Sequence, residues 1–157
     1  RKFVNIYSVL AHLGLGLLII SIALNNDFSS ERALNIKIND TETYKNHEIT
    51  FNNLQLTEGP NYESVKADFI IENKNGNKFS LNPEKRKYFV RGQITTETAI
   101  HASLLKDIYL TIGDQLDDGS WIVNVQFNYF IRWIWFSATL MIISGLFLAR
   151  SLNRVHS

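Results

Sequence analysis

Apolar residues follow three patterns along this chain. Residues 3–24 form a run of 22 positions without a formal charge. At about 1.5 Å per residue a helix of that length extends roughly 33 Å, enough to cross a hydrocarbon core of about 30 Å. A secretory leader is the rival interpretation, because Arg1 and Lys2 make a basic start. The apolar part is too long for a leader, holds a histidine at mid-span and ends in Asn25-Asn26-Asp27 without a small-residue cleavage pattern. A second apolar run, residues 131–148, follows a cluster of Phe127, Tyr129, Phe130, Trp133, Trp135 and Phe136. Aromatic rings collect where membrane meets water, so the cluster predicts a helix entering a bilayer.

Between the two runs the period changes to two. Leu34, Ile36 and Ile38 alternate with polar residues, as do Ile49 and Phe51, then Val65, Ala67, Phe69 and Ile71, then Trp121, Val123 and Val125. Turn signals separate them: Glu58-Gly59-Pro60-Asn61, Asn73-Lys74-Asn75-Gly76-Asn77 and Asp117-Asp118-Gly119. The expected fold is a membrane protein in which two transmembrane helices flank an antiparallel all-β domain, barrel-like or sandwich-like, of six to eight strands. A short helix is expected around residues 96–106. The chain then divides into a helix in residues 1–24 carrying His12, a β domain in 25–126, an aromatic belt with the second helix in 127–149, and a basic tail in 150–157.

Charge sharpens this division. All 15 acidic residues lie between Asp27 and Asp118, beside 11 of the 16 basic ones, so the middle is −4 and the flanks are +5. Two spans put both termini on one side, and the positive-inside rule makes that side cytoplasm or matrix. Residues 25–126 are then translocated, facing a periplasm or intermembrane space. An acidic middle would repel phosphate, which argues against a nucleic-acid partner. The absence of cysteine excludes disulfides, thiolate metal sites, a cysteine nucleophile and covalent haem attachment to this chain. The chain begins with Arg, not Met, and is expected to be a piece of something longer.

His12 is the informative candidate, because an ionisable group at membrane depth is costly and normally faces a partner. Asn5, Ser8, His12 and Gly16 are spaced three, four and four apart, so a helix puts them on one face. Gly14 lies off that stripe. His12 has three readings: a hydrogen bond to another helix, a proton relay, or axial ligation of haem iron. His47 is expected at the surface, and His101 on the short helix facing solvent or the membrane surface. Lys85-Arg86-Lys87 is expected as a solvated face, with haem propionates or lipid phosphates as the sharper option. Asp114, Asp117 and Asp118 fit a hairpin turn better than a calcium loop. Arg132 is expected to snorkel outward from the entry of the second span.

Several motifs in order carry a resemblance. They are Leu10-Ala11-His12-Leu13-Gly14, Glu58-Gly59-Pro60-Asn61-Tyr62, Pro83-Glu84-Lys85-Arg86 with Tyr88, Thr96-Glu97-Thr98-Ala99-Ile100, Asp107-Ile108-Tyr109, Gly113-Asp114, Asp118-Gly119-Ser120-Trp121 and Arg132-Trp133-Ile134-Trp135. Over nearly its whole length the chain resembles the C-terminal part of CcmF, the haem-lyase subunit of the System I cytochrome c maturation pathway. The resemblance implies a polytopic protein of the bacterial or mitochondrial inner membrane. It implies work with a CcmH-type subunit, the haem chaperone CcmE and apocytochrome c, whose CxxCH thiols receive haem. It also implies a separate non-covalent haem b between transmembrane helices, with His12 matching one of its two histidine ligands.

The family's tryptophan-rich segment, the two histidines flanking it and the second haem b ligand have no counterpart in this chain. It is therefore expected to be one part of a lyase, a fragment or a split-gene product joined by the remaining CcmF segments, and inactive alone. A redox role follows for the His12 haem, passing electrons from quinol to the substrate haem. The Asn5 and Ser8 side chains and the Ser8 carbonyl are candidates to bond the imidazole, and Arg132 to pair with a propionate. The alternative is a non-catalytic assembly subunit in which His12 is only a structural hydrogen-bonding residue.

Overall fold

A computed structural model describes residues 6–153. Arg1, Lys2 and Asn5, together with Arg154 and His156, lie outside the described residues. A helix α1 (Ile6–Phe28) leads into ten strands: β1 (Ser30–Ile36), β2 (Thr41–Tyr44), β3 (His47–Glu58), β4 (Tyr62–Asn73), β5 (Lys78–Leu81), β6 (Glu84–Tyr88), β7 (Ile94–Glu97), β8 (Ala99–His101), β9 (Lys106–Gln115) and β10 (Trp121–Tyr129). Helix α2 (Ile131–Asn153) follows. The described chain forms two compact units. One contains the helices and residues 103–107, and the other contains residues 30–102 and 108–127.

The second unit is an antiparallel sandwich. One sheet has the order β1-β10-β9-β8, and the other runs β2-β3-β4-β6-β7 with β5 also paired to β4. Alternation decides the core. Leu34 and Ile36, Ile49 and Phe51, Ala67, Phe69 and Ile71, and Val123 and Val125 all turn inward and are buried. Phe51 and Phe69 pair directly and stack with ring centroids 4.5 Å apart. Ile38 breaks the pattern because β1 ends at Ile36 and the chain turns through Asn39, whose φ is 72°. Each expected turn forms. In the last of them Asp118 accepts from the Ser120 amide at 3.0 Å while Gly119 takes φ 82°.

Three features depart from expectation. The strand count exceeds six to eight because short edge strands such as β5 and β8 carry too few residues to show a period. Strand β9, with Ile108, Leu110 and Ile112 buried, is the longest of those not anticipated. The helix expected around residues 96–106 is absent. Ile94, Thr95, Thr96 and Ile100 are β-branched, lose side-chain freedom in a helix, and pair in β7 and β8 instead.

The helical unit has the opposite composition inside. α1 and α2 run antiparallel, since the Ser144 hydroxyl donates to the Tyr7 carbonyl at one end and the Asn25 amide donates to the Tyr129 carbonyl at 2.6 Å at the other. Among the described residues Gly14 and Ser21 are the buried ones of α1, and Ser137 and Ser144 those of α2. Each pair is seven residues apart, so small residues line one seam and let the backbones approach. A Cβ on Gly14 would lie 2.7 Å from Met141 Cγ and 3.2 Å from the Ser137 carbonyl. The buried hydroxyls of Ser21 and Ser137 return to carbonyls one turn earlier, at 2.7 and 2.6 Å. Both helices are long and apolar enough to cross a membrane.

Candidate functional site

Because α2 covers the face of α1 that carries Tyr7, Gly14 and Ser21, Ser8, His12 and Gly16 point away from it. His12 is exposed on a helix whose other exposed side chains include Ile6, Val9, Leu13, Leu15 and Ile19. Its Nδ1 lies 2.6 Å from the Ser8 carbonyl oxygen. A carbonyl only accepts, so this bond requires the hydrogen on Nδ1 and leaves the lone pair of the neutral ring on Nε2. Backbone anchoring of one ring nitrogen fixes the tautomer and orientation of a metal-binding imidazole. One turn further on, a Cβ at Gly16 would meet nothing within 4 Å, so the flank beside the ring is open.

That arrangement fits an axial haem ligand in three respects: a fixed imidazole with one available nitrogen, space beside it for a flat group, and apolar surroundings. It does not fit a site in which protein side chains enclose a bare ion. Among the described residues no group of three or more His, Asp or Glu side chains could hold one.

Two further histidines, His47 and His101, belong to the sandwich, and both differ from expectation. His47 is buried, has its Nδ1 2.7 Å from the Lys45 carbonyl oxygen, and packs on Phe127 with centroids 5.0 Å apart. Because a carbonyl accepts, His47 is the donor there. It shares an inward face with Ile49 and Phe51, and the period of two already puts it there. His101 is half-buried on β8 and stacks on Phe79 at 3.7 Å. His156 lies outside the described residues.

The Lys85-Arg86-Lys87 run sits on β6 and is bound to carboxylates of its own unit. Lys85 pairs with Asp114, Lys87 with Glu63 at 3.0 Å, and Arg86 with Glu84 at 2.9 Å and Glu97 at 3.5 Å. Arg86 also lies over the Tyr62 ring. The Arg86 hydrogen bond holds the Glu84 carboxyl below its ordinary pKa, and the same bond raises that of Arg86. Lys85, Arg86, Lys87, Glu63 and Asp114, with Leu56, Val65, Ile94 and Trp121, line a cleft of about 680 Å³. At the start of α2, Arg132 meets Asp107 at 3.5 Å. The Trp133 indole donates to the Leu104 carbonyl at 2.9 Å, a contact that no local sequence signal announces.

Comparison with known proteins agrees with this fold. The family model described as the CcmF C-terminal beta-sandwich matches residues 27–128. The cytochrome c-type biogenesis protein CcmF of Pseudomonas aeruginosa is 36% identical over 136 residues, which is 87% of this chain and 21% of that protein. The CcmF of Escherichia coli is 33% identical over 138 residues, 88% of this chain and again 21% of the relative. The chain thus spans about a fifth of the length of these relatives. A solved structure, cytochrome c heme lyase CcmF, shares the fold with a TM-score of 0.72 at 11% identity, over 90% of this chain and 24% of that one.

Proposed function

The chain belongs to the CcmF family of cytochrome c-type biogenesis proteins, and from that premise we propose that it supplies one axial histidine, His12, to a non-covalent haem b of a haem lyase. The observation that carries this reading is the exposed imidazole on an apolar helix, its Nδ1–H held by the Ser8 carbonyl at 2.6 Å. An imidazole facing lipid with a free nitrogen is costly, and ligation of iron at Nε2 removes that cost.

The chain's own residues divide the work. The Ser8 carbonyl keeps the proton on Nδ1 and so keeps Nε2 available. Electron withdrawal or donation through that hydrogen bond tunes the ligand's basicity. Gly16 leaves room for the macrocycle edge, and Gly14 holds α1 against α2 so that the stripe keeps its orientation. When bound, the haem would carry single electrons, and quinol is the proposed donor for reducing the substrate haem. The second axial ligand would come from outside this chain, from the remaining CcmF segments.

The proposed setting is an inner membrane, bacterial or mitochondrial, with residues 25–126 on its periplasmic or intermembrane-space side. There the sandwich would serve as a scaffold for the CcmH-type subunit, the haem chaperone CcmE and apocytochrome c. Its net negative charge suits basic partners. The test is genetic complementation. A strain lacking this gene and expressing His12→Ala is expected to lose at least nine-tenths of its haem-stained c-type cytochromes, with the variant still present in membranes. Full maturation would instead make the chain an assembly subunit in which His12 is structural.

A further inference from the structure

The turn of residues 103–107 is built to show apolar side chains outward. Its polar groups are satisfied internally: the Ser103 amide donates to the Asp107 carboxylate at 3.0 Å, and the Ser103 hydroxyl donates to the Lys106 carbonyl. Two more bonds tie the turn to α2 and to the residue just before it. The Trp133 indole donates to the Leu104 carbonyl at 2.9 Å, and the Phe130 amide donates to the Leu105 carbonyl at 3.0 Å. Arg132 reaches Asp107 from the same helical turn. What remains outward is Leu104, 77% exposed, and Leu105, 56% exposed. Single exposed leucines are ordinary, but two adjacent ones, with Leu104 beside the exposed Phe136, make a patch.

The depth of that patch follows from α2. Its apolar span, Ile131–Ser151, has 21 residues, and at 1.5 Å each it extends about 31 Å, the thickness of a hydrocarbon core. The first turn of α2 therefore sits at the edge of the core, and the Trp133–Leu104 bond puts the leucines at the same level. Arg132, half exposed beside Asp107, stands where lipid phosphates would lie.

We propose that Leu104 and Leu105 insert into the interfacial zone of the bilayer, making residues 103–107 a third membrane contact whose partner is phospholipid. The patch continues onto the outward surface of α2 at Phe136 and borders a small dip lined by Leu104, Arg132, Trp133 and Phe136. This inference rests on the reading of α2 as a membrane span.

The cysteine-free chain permits a direct test. Leu104→Cys and, separately, Leu105→Cys would carry an environment-sensitive fluorophore in the complete assembly, reconstituted into phosphatidylcholine–phosphatidylglycerol vesicles. The unsubstituted assembly is the labelling control. Ile142→Cys in mid-helix and Leu56→Cys on the sandwich provide lipid and water references. The expected result at both leucines is quenching by lipids bearing a shallow nitroxide at least threefold stronger than at position 56, with iodide quenching at least threefold weaker. Iodide quenching equal to that at position 56, or protection from both quenchers as under a protein partner, would overturn the proposal. If position 142 also fails to respond to lipids bearing a nitroxide deep in the acyl chain, the membrane reading of α2 fails with it. A response at 142 alone rejects only the turn.

Discussion

The two units solve burial in opposite ways. In the sandwich the interior is Phe51, Phe69, Phe127 and a layer of Ile, Val and Leu, and all 14 buried apolar side chains among the described residues belong to it. In the helical pair the interior is Gly14, Ser21, Ser137 and Ser144, while Ile19, Ile142 and Leu146 face outward. Water drives the first arrangement. The second makes sense in lipid, where apolar surface gains nothing from hiding and close backbone approach is what holds helices together. The lesson for function concerns polar groups. The sandwich pairs Lys85, Arg86 and Lys87 and packs His47 and His101 against rings, whereas α1 leaves His12 exposed with one nitrogen open.

Substitutions test whether this inversion is real. Phe69→Ala in the sandwich should cost about 3–5 kcal/mol in denaturant unfolding of the full chain in micelles, whereas Leu146→Ala on α2 should stay within about 0.5 kcal/mol. Equal costs would break the comparison. Ile142→Asp should oppose membrane integration by about 3 kcal/mol, seen as a fall in the integrated fraction. Leu56→Asp, at a sandwich position 82% exposed, should change stability by no more than about 0.5 kcal/mol.

The two faces of α1 give a finer contrast. Gly14→Leu should destabilise the helix pair by about 1–3 kcal/mol, because Met141 and the Ser137 carbonyl occupy the space the new side chain needs. Gly16→Leu should leave thermal stability unchanged while lowering haem occupancy, measured as haem per assembly.

The smallest effect concerns acid. The Glu84 carboxyl is held below its ordinary pKa chiefly by Arg86. Its contribution is therefore complete above the ordinary carboxylate value and is lost as pH falls through the lower folded value. Glu84→Gln should flatten that acid limb by less than about 1 kcal/mol, while stability between pH 6 and 8 changes by a similar constant amount.

Where one face of an element is buried against a single environment, the sequence speaks plainly. Ile49 and Phe51, or Val123 and Val125, alternate because each strand has one dry side. Residues 94–101 are harder, because β7 and β8 are short edge strands in different sheets and Thr, Glu and Ala around them carry no clear period. His47 was legible in principle, two residues before Ile49 on the same face, but the polar stretch of Tyr44-Lys45-Asn46 disguised it. The stripe of Ser8, His12 and Gly16 follows from helical spacing alone. Which of Gly14 and Gly16 meets α2 does not, since that depends on the partner's serines more than a hundred residues away. The Ser8 carbonyl was among the candidates to bond the imidazole, and it is the one hydrogen-bonded to Nδ1.

The central claim is that the open nitrogen of His12 binds haem iron. It is tested most directly by optical spectra of the purified native assembly, oxidised and dithionite-reduced, beside His12→Ala. The account predicts a sharp low-spin b-type α-band in the native assembly that is lost or becomes high-spin in the variant while the assembly stays intact. Identical haem bands in both would contradict it.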